Sequence, residues 1–165
     1  MTAVYVTHDQ TEALTMADRV AVMQDGEIVQ ESPPRDIYQK PKSRFVASFI
    51  GQINFLDGKI TAPGMVETPA GTLRFEDSDA PAVGTDVTVA IRPENLFPQT
   101  GGVASEGNQL VGEVEDVVFL GGVLECAVKT GAASLTMQLH PSNTVQTGAS
   151  VGYSVRPEDV KILTA

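Results

Sequence analysis

The chain has 165 residues, of which 42% are hydrophobic and 19% charged, and its formal net charge is −10. These proportions are typical of a globular chain and exclude the fibrous, disulfide-scaffold and disordered classes. The length allows one domain or two small ones. Because 21 acidic residues face 11 basic ones and tryptophan is absent, we expect no nucleic-acid partner.

The charge and the sequence texture both change near Gly51 to Ile53. Residues 1–52 hold seven acidic and five basic residues, whereas residues 53–165 hold fourteen and six. The first part has the pattern of helices with one hairpin, and the second has short β-branched runs broken by Gly, Pro and Asp turns. We therefore predict a mainly β fold with a small α/β N-terminal part, divided into 1–52 and 53–165.

The first segment opens with strand-favouring residues, Ala3 to Thr7, followed at once by His8. Such a run predicts a strand buried on both faces of a parallel sheet. Asp9 and Glu12 stand at capping-box spacing for a helix that runs to about Ala17. His8 would then lie at the carboxyl end of a strand, where open α/β sheets place ligand-binding residues.

The rest of the first segment predicts one hairpin and two short helices. Asp25-Gly26 is a strong two-residue hairpin signal. Pro33 to Gln39 and Ser43 to Ile50 have the pattern of helices, the second closed by Gly51. These elements with one strand cannot close a core, so we expect the segment to be the C-terminal remnant of a larger domain.

Several motifs of this segment occur together in one protein family. They are Val4-Tyr5-Val6-Thr7-His8-Asp9-Gln10, Ala17-Asp18-Arg19 and Phe45-Val46-Ala47-Ser48-Phe49-Ile50-Gly51. The segment closely resembles the end of the nucleotide-binding domain in ATP-binding subunits of ABC importers, in the branch that handles maltose, glycerol phosphate, polyamines and ferric iron. The junction around Ile53 looks most like the polyamine and iron importers, with the sugar importers close behind.

The resemblance implies a role for His8 and a set of partners. His8 matches the family's switch histidine, which contacts the terminal phosphate of ATP. The full-length subunit would bind ATP and magnesium and couple hydrolysis to solute uptake. It would work with permease subunits, in the cytoplasm and peripheral at the inner face of the plasma membrane.

The sequence lacks the other parts of that ATPase site. It contains no G-x-x-x-x-G-K-[ST] loop, no Ser-Gly-Gly-Gln signature and no apolar strand ending in Asp-Glu. Phosphoryl transfer depends on such groups for positioning and charge stabilisation. We therefore expect this chain alone to be no enzyme and to hold no cofactor or metal, as a truncated piece of a longer gene product.

The second segment contains an internal repeat. Gly84 to Leu96 aligns without gaps to Gly148 to Val160, and Asn54 to Ile60 aligns to Asn108 to Val114. Each copy begins with Asn-x-Leu-x-Gly and ends with a strand that runs into Arg-Pro-Glu. Short strands at this density predict a tandem barrel of the oligonucleotide- and oligosaccharide-binding (OB) type.

The resemblance agrees with this repeat, because the family's C-terminal regulatory domain is a tandem barrel with an Ile-Arg-Pro-Glu motif. It implies that the domain pairs with its twin in a homodimer. The pairs Arg92/Glu94 and Arg156/Glu158 are then either exposed ion pairs and turn locks or a dimer or regulatory contact.

One alternative from another class stays open. A related group of tandem barrels binds molybdate or tungstate, and the Asn-x-Leu-x-Gly pattern at Asn54 and Asn108 is similar to it. The Ser-Ala-Arg-Asn lead-in expected there is absent. A free-standing small-ligand or oxyanion-binding domain is thus the alternative.

Three other features are expected to have no catalytic or metal-binding role. We expect His140 to be a solvated loop histidine and Cys126 to be a packed core residue. Glu113, Glu115 and Asp116 are expected to form a solvated acidic strand face.

Overall fold

The computed structural model describes residues 3–77, 79–99 and 107–164. It divides into two compact units, Met1–Gln52 and Ile53–Ala165. Three short helices and one two-stranded antiparallel sheet form the first unit. Their bounds are Gln10–Met16 for α1, Val20–Gln24 for β1, Glu27–Ser32 for β2, Pro34–Gln39 for α2 and Arg44–Phe49 for α3.

Local signals explain where these elements begin. The Asp9 carboxylate caps α1 by accepting from the N–H groups of Thr11 and Glu12, at 2.7 and 3.1 Å. Asp25 and Gly26 both have positive φ, 51° and 84°, as a tight turn between β1 and β2 requires. The core of the unit is a small apolar cluster: Val20, Val22, Ile37, Val46 and Ile50.

The predicted strand over residues 3–7 is wrong for this structure. None of these residues is in a strand, and Val4 and Val6 are 92% and 84% exposed. A strand needs a partner for its main-chain groups. In the described part of the first unit, β1 and β2 pair with each other and neither pairs with this segment.

The described part of the second unit contains ten strands in two five-stranded antiparallel sheets. The first sheet has the order β12-β6-β3-β4-β5 and the second the order β10-β9-β8-β11-β7. The bounds are Asn54–Ala62 (β3), Met65–Thr68 (β4), Gly71–Arg74 (β5), Asp86–Ile91 (β6), Phe97–Pro98 (β7), Asn108–Phe119 (β8), Leu124–Thr130 (β9), Ala133–Leu139 (β10), Ser150–Val155 (β11) and Lys161–Leu163 (β12).

The two repeats exchange their last strands. The repeat that starts with β3 ends with β7, which pairs with β11 of the other sheet; the repeat that starts with β8 ends with β12, which pairs with β6. A 3-10 turn precedes each crossing, Pro93–Asn95 in one repeat and Pro157–Asp159 in the other. The Arg-Pro-Glu motif therefore marks the point where the chain leaves one sheet for the other.

A single apolar core lies under both sheets. Leu56, Ile60 and Val89 from the first sheet belong to the same buried cluster as Leu110 and Leu135 from the second. The predicted mainly β, OB-like architecture is confirmed, with the refinement that the repeats share one core and two strands. No helix among the described residues has the length and apolar character needed to cross a membrane.

Candidate functional site

His8 lies on the surface of the first unit, immediately before the N-cap of α1. Its side chain is exposed and lines a small cleft with Thr7, Asp9, Val22 and Phe49 among others. The Thr7 hydroxyl donates to a Glu12 carboxylate oxygen at 2.7 Å and accepts from the Asp9 N–H at 2.9 Å. These two bonds fix the backbone on either side of His8 and leave its imidazole facing solvent.

The residues around His8 do not fit ATP by themselves. A triphosphate needs several N–H or cationic donors, but the cleft contains no lysine, arginine or glycine. Its carboxylate, Asp9, is engaged in capping α1. Among the described residues that line this cleft, His8 could therefore face a phosphate, and the other donors of a triphosphate site are not among them.

The two asparagines of the repeat motif have the same unusual environment. The Asn54 amide donates to the Thr136 carbonyl at 2.8 Å, and its carbonyl accepts from the Thr136 N–H at 2.7 Å. The Asn108 amide does the same to Arg74, donating at 2.9 Å and accepting at 2.5 Å. It also donates to the Val155 carbonyl at 3.2 Å.

Each asparagine thus acts as a short piece of neighbouring strand. Thr136 is the fourth residue of β10 and Arg74 is the fourth residue of β5, and each of these strands lies at an edge of its sheet. Asn54 and Asn108 are the first residues of β3 and β8, each in the opposite sheet. We call these two pairs the amide latches; they close the seam between the sheets and satisfy edge groups that would otherwise need water.

The glycine of the same motif allows close packing of the strands. A Cβ on Gly112 would lie 2.5 Å from both Thr130 Oγ1 and Val128 Cγ1. A Cβ on Gly58 would lie 2.8 Å from Val66 Cγ2. The Asn-x-Leu-x-Gly motif is therefore a packing motif: the asparagine latches and the glycine makes room.

The arginines of the Arg-Pro-Glu motifs differ between the repeats. Arg156 is exposed, and it contacts Asp159 Oδ2 at 2.8 Å and Glu158 Oε1 at 3.4 Å. Its guanidinium also lies 5.6 Å from the centre of the Phe97 ring, which ties the second turn to the strand received from the first repeat. Arg92 is only 5% exposed, so the first motif does not present an exposed arginine beside Glu94. Its other interpretations, as a turn lock or as a dimer or regulatory contact, stay predictions. Arg92 is the N-cap residue of the turn Pro93–Asn95, and that turn packs against β10.

Three further candidates behave as packing or loop residues. His140 is exposed, and its Nδ1 lies 2.7 Å from the Ser142 hydroxyl of its own turn. Cys126 is fully buried; burial raises the pKa of its thiol, and the neighbouring Glu125 carboxylate adds to the rise. In the acidic group, Glu115 accepts from the Ser134 hydroxyl at 2.9 Å. The described residues contain no group of three or more side chains that could hold a metal ion.

Sequence reasoning missed the latches and one related contact. Gln30 is 4% exposed; its amide donates to the Lys40 carbonyl at 3.1 Å and accepts from the Lys42 N–H at 2.8 Å. This amide holds the loop around the buried Pro41 against β2. The signal that could have found the latches was present, because both copies of the repeat begin with asparagine.

Two paired sheets with exchanged strands define a tandem OB-like domain that follows a small helical unit. Residues 89–163 match the family model of the TOBE domain. The chain is 39% identical over 164 residues to the spermidine/putrescine import ATP-binding protein PotA of Desulfitobacterium hafniense, covering 99% of this chain and 45% of the relative. PotA 1 of Pseudomonas aeruginosa is 36% identical over 171 residues, with 99% and 45% covered.

The chain spans less than half the length of these curated relatives. The resemblance first seen in the motifs is confirmed over nearly the whole chain and across both units. Among solved structures, the cytoplasmic molybdate-binding protein ModG matches with a TM-score of 0.61 at 17% identity, covering 76% of this chain and 99% of that one. At this identity the likeness shows the fold alone.

Proposed function

We propose that this chain is the C-terminal portion of the ATP-binding subunit of an ABC importer of the polyamine class. The first unit would be the end of the nucleotide-binding domain, and the second its regulatory domain. The observation that carries the proposal is that 36–39% identity to import ATP-binding proteins covers 99% of the chain and so extends through both units.

His8 is the residue of the first unit that would act in the complete subunit. The solvent-facing imidazole can donate a hydrogen bond to a phosphate oxygen and reorient when that phosphate leaves. The exposed apolar residues Val4 and Val6 precede it and would complete a sheet with the rest of the domain. ATP binding needs the phosphate-binding loop and the magnesium-binding strand of a complete nucleotide-binding domain. Without them, the chain alone neither binds ATP tightly nor hydrolyses it.

The second unit would serve regulation and dimerisation. Its partners would be a second copy of the subunit through this domain and the permease components through the complete ATPase, at the inner face of the membrane. Glu94, Arg156 and Glu158 are exposed and would lie at the dimer or regulatory contact. The buried Arg92 would support the turn that presents Glu94.

The test is a graft. The C-terminal portion of the Desulfitobacterium relative is replaced by this chain, and uptake of labelled spermidine is measured in cells that lack their own polyamine importer. We expect the graft to restore uptake, while the relative truncated before the graft point does not. A graft that is stably expressed but gives no more uptake than the truncated relative contradicts the proposal.

Dimerisation is tested separately on the purified chain. Sedimentation equilibrium from low to high micromolar concentration is expected to show a monomer–dimer equilibrium that Arg156→Glu weakens more than Arg35→Glu. Arg35 is the matched control because it is an exposed arginine of the first unit. A chain that remains monomeric throughout contradicts the dimer without touching the family resemblance.

A further inference from the structure

The two units are joined by a very short segment. Ile50, at the end of α3, is buried in the core of the first unit, and Asn54, the first residue of β3, is buried in the second. Only Gly51, Gln52 and Ile53 lie between them. Gly51 has φ of 114°, a conformation that residues with a side chain rarely adopt. We call residues 51–53 the joint.

Asn54, the anchor beyond the joint, is bound to both sheets at once. Its main chain is paired with Ile91 of β6 in the first sheet, while its side chain holds both main-chain groups of Thr136 in the second sheet. A displacement that reaches Asn54 along the chain therefore acts on β6 and β10 together. The equivalent Asn108 latches Arg74 with the same geometry but does not adjoin the joint.

We infer that Asn54 is a positioning residue that makes the two sheets respond as one body to movements of the joint. This rests on the proposed function, because a regulatory domain has to follow the conformation of the domain that precedes it. Without the Asn54 latch, the same displacement would bend β3 away from β10, and the second sheet would not move with the first. Asn108 would hold β8 to β5 through Arg74, and it would transmit no displacement from the joint.

The test perturbs the joint and measures amide exchange on the two latched strands. In the full chain, Gly51→Ala forces a side chain onto a backbone with positive φ. We expect it to speed exchange of the Thr136 amide by about tenfold, since the latch there is worth roughly one or two hydrogen bonds. Exchange at Arg74, held by the Asn108 latch, should change by less than about twofold.

Two latch variants complete the experiment. In Asn54→Ala, Thr136 should exchange fast and Gly51→Ala should add nothing further, whereas in Asn108→Ala the response of Thr136 to Gly51→Ala should persist. Asn54→Asp keeps the acceptor for the Thr136 N–H and should retain part of the response. Circular dichroism checks that each variant is folded.

Equal responses at Thr136 and Arg74, or no response at either, would overturn the inference. So would a response of Thr136 that survives Asn54→Ala. The measurement uses neither nucleotide nor partner protein, so such a failure would leave the proposed function standing. Loss of uptake in the graft, conversely, would leave the exchange result unaffected.

Discussion

The side-chain amide of Asn54 forms both hydrogen bonds of a strand neighbour with Thr136, which lies 82 residues later in the chain. Asn108 and Arg74 repeat this relationship in the other direction. The two latches make the repeated Asn-x-Leu-x-Gly motif the feature that joins the sheets. The two motif asparagines, whose pattern is similar to that of oxyanion-binding barrels, therefore have a structural role.

Removing either latch should destabilise the second unit. Asn54→Ala and Asn108→Ala each delete two or more hydrogen bonds and leave edge groups of β10 or β5 without them, which predicts a loss of about 1–3 kcal/mol. Urea denaturation followed by circular dichroism measures it. Asn143→Ala is the control, because that amide donates to the His140 carbonyl of its own turn and not to another strand. Latch variants as stable as this control would contradict the assignment.

The motif glycines should tolerate even a methyl group poorly. Gly112→Ala places a Cβ against Thr130, Val128 and the Lys129 carbonyl and is expected to cost about 2–4 kcal/mol; Gly58→Ala meets a more movable valine methyl and should cost less. Gly122→Ala meets nothing within 4 Å and is the neutral control. The midpoints of urea denaturation give the order of stability of the three variants. A Gly112 variant as stable as the Gly122 variant would show that the packing at Gly112 is looser than described.

Stability should decline in alkaline solution. Burial raises the pKa of the Cys126 thiol above its ordinary 9.0, with Glu125 adding to the rise, and burial raises that of Tyr153 above 10.0 against the opposing hydrogen bond with Thr130. Both groups hold their protons more tightly when folded. Their contribution is therefore full below about pH 9 and is lost as pH rises through the folded pKa values.

Variants at these two positions test that decline. In Tyr153→Phe, the unfolding free energy should decrease less steeply above pH 9. Cys126→Ala should reduce this decrease further. A slope that is the same in all variants would assign the alkaline loss to other groups.

Oxyanions should not bind at the motif asparagines. Isothermal titration of the chain with molybdate, and with sulfate as the comparison anion, is expected to give no saturable heat, since both amides are committed to main-chain partners. Saturable binding lost in Asn54→Ala or Asn108→Ala would revive the alternative function.

The sequence was most informative where one local signal sufficed. The Asp25-Gly26 hairpin, the cap at Asp9 and the repeat ending in Arg-Pro-Glu all appear as predicted. The strand at residues 3–7 was wrong because strand formation depends on a neighbour that local pattern does not supply.

Two other features depend on distant packing. The pairing of Asn54 with Thr136 depends on how the second repeat packs against the first, and the burial of Arg92 depends on packing that its local motif does not show. Hydrophobic periodicity shows which face of a strand is buried, but it does not show which sheet a strand joins. The exchange of β7 and β12 was therefore hidden from sequence reasoning, although the repeat itself was evident.

We propose that His8 of the first unit is the switch histidine of an import ATPase. The most direct measurement is ATP hydrolysis by the purified graft with its permease partners, comparing His8→Ala with His140→Ala, a matched substitution of an exposed loop histidine. We expect His8→Ala to lower turnover by at least ~100-fold, which is the scale of one donor that contacts a phosphate, and His140→Ala to stay within about twofold. Equal turnover in the two variants would contradict it.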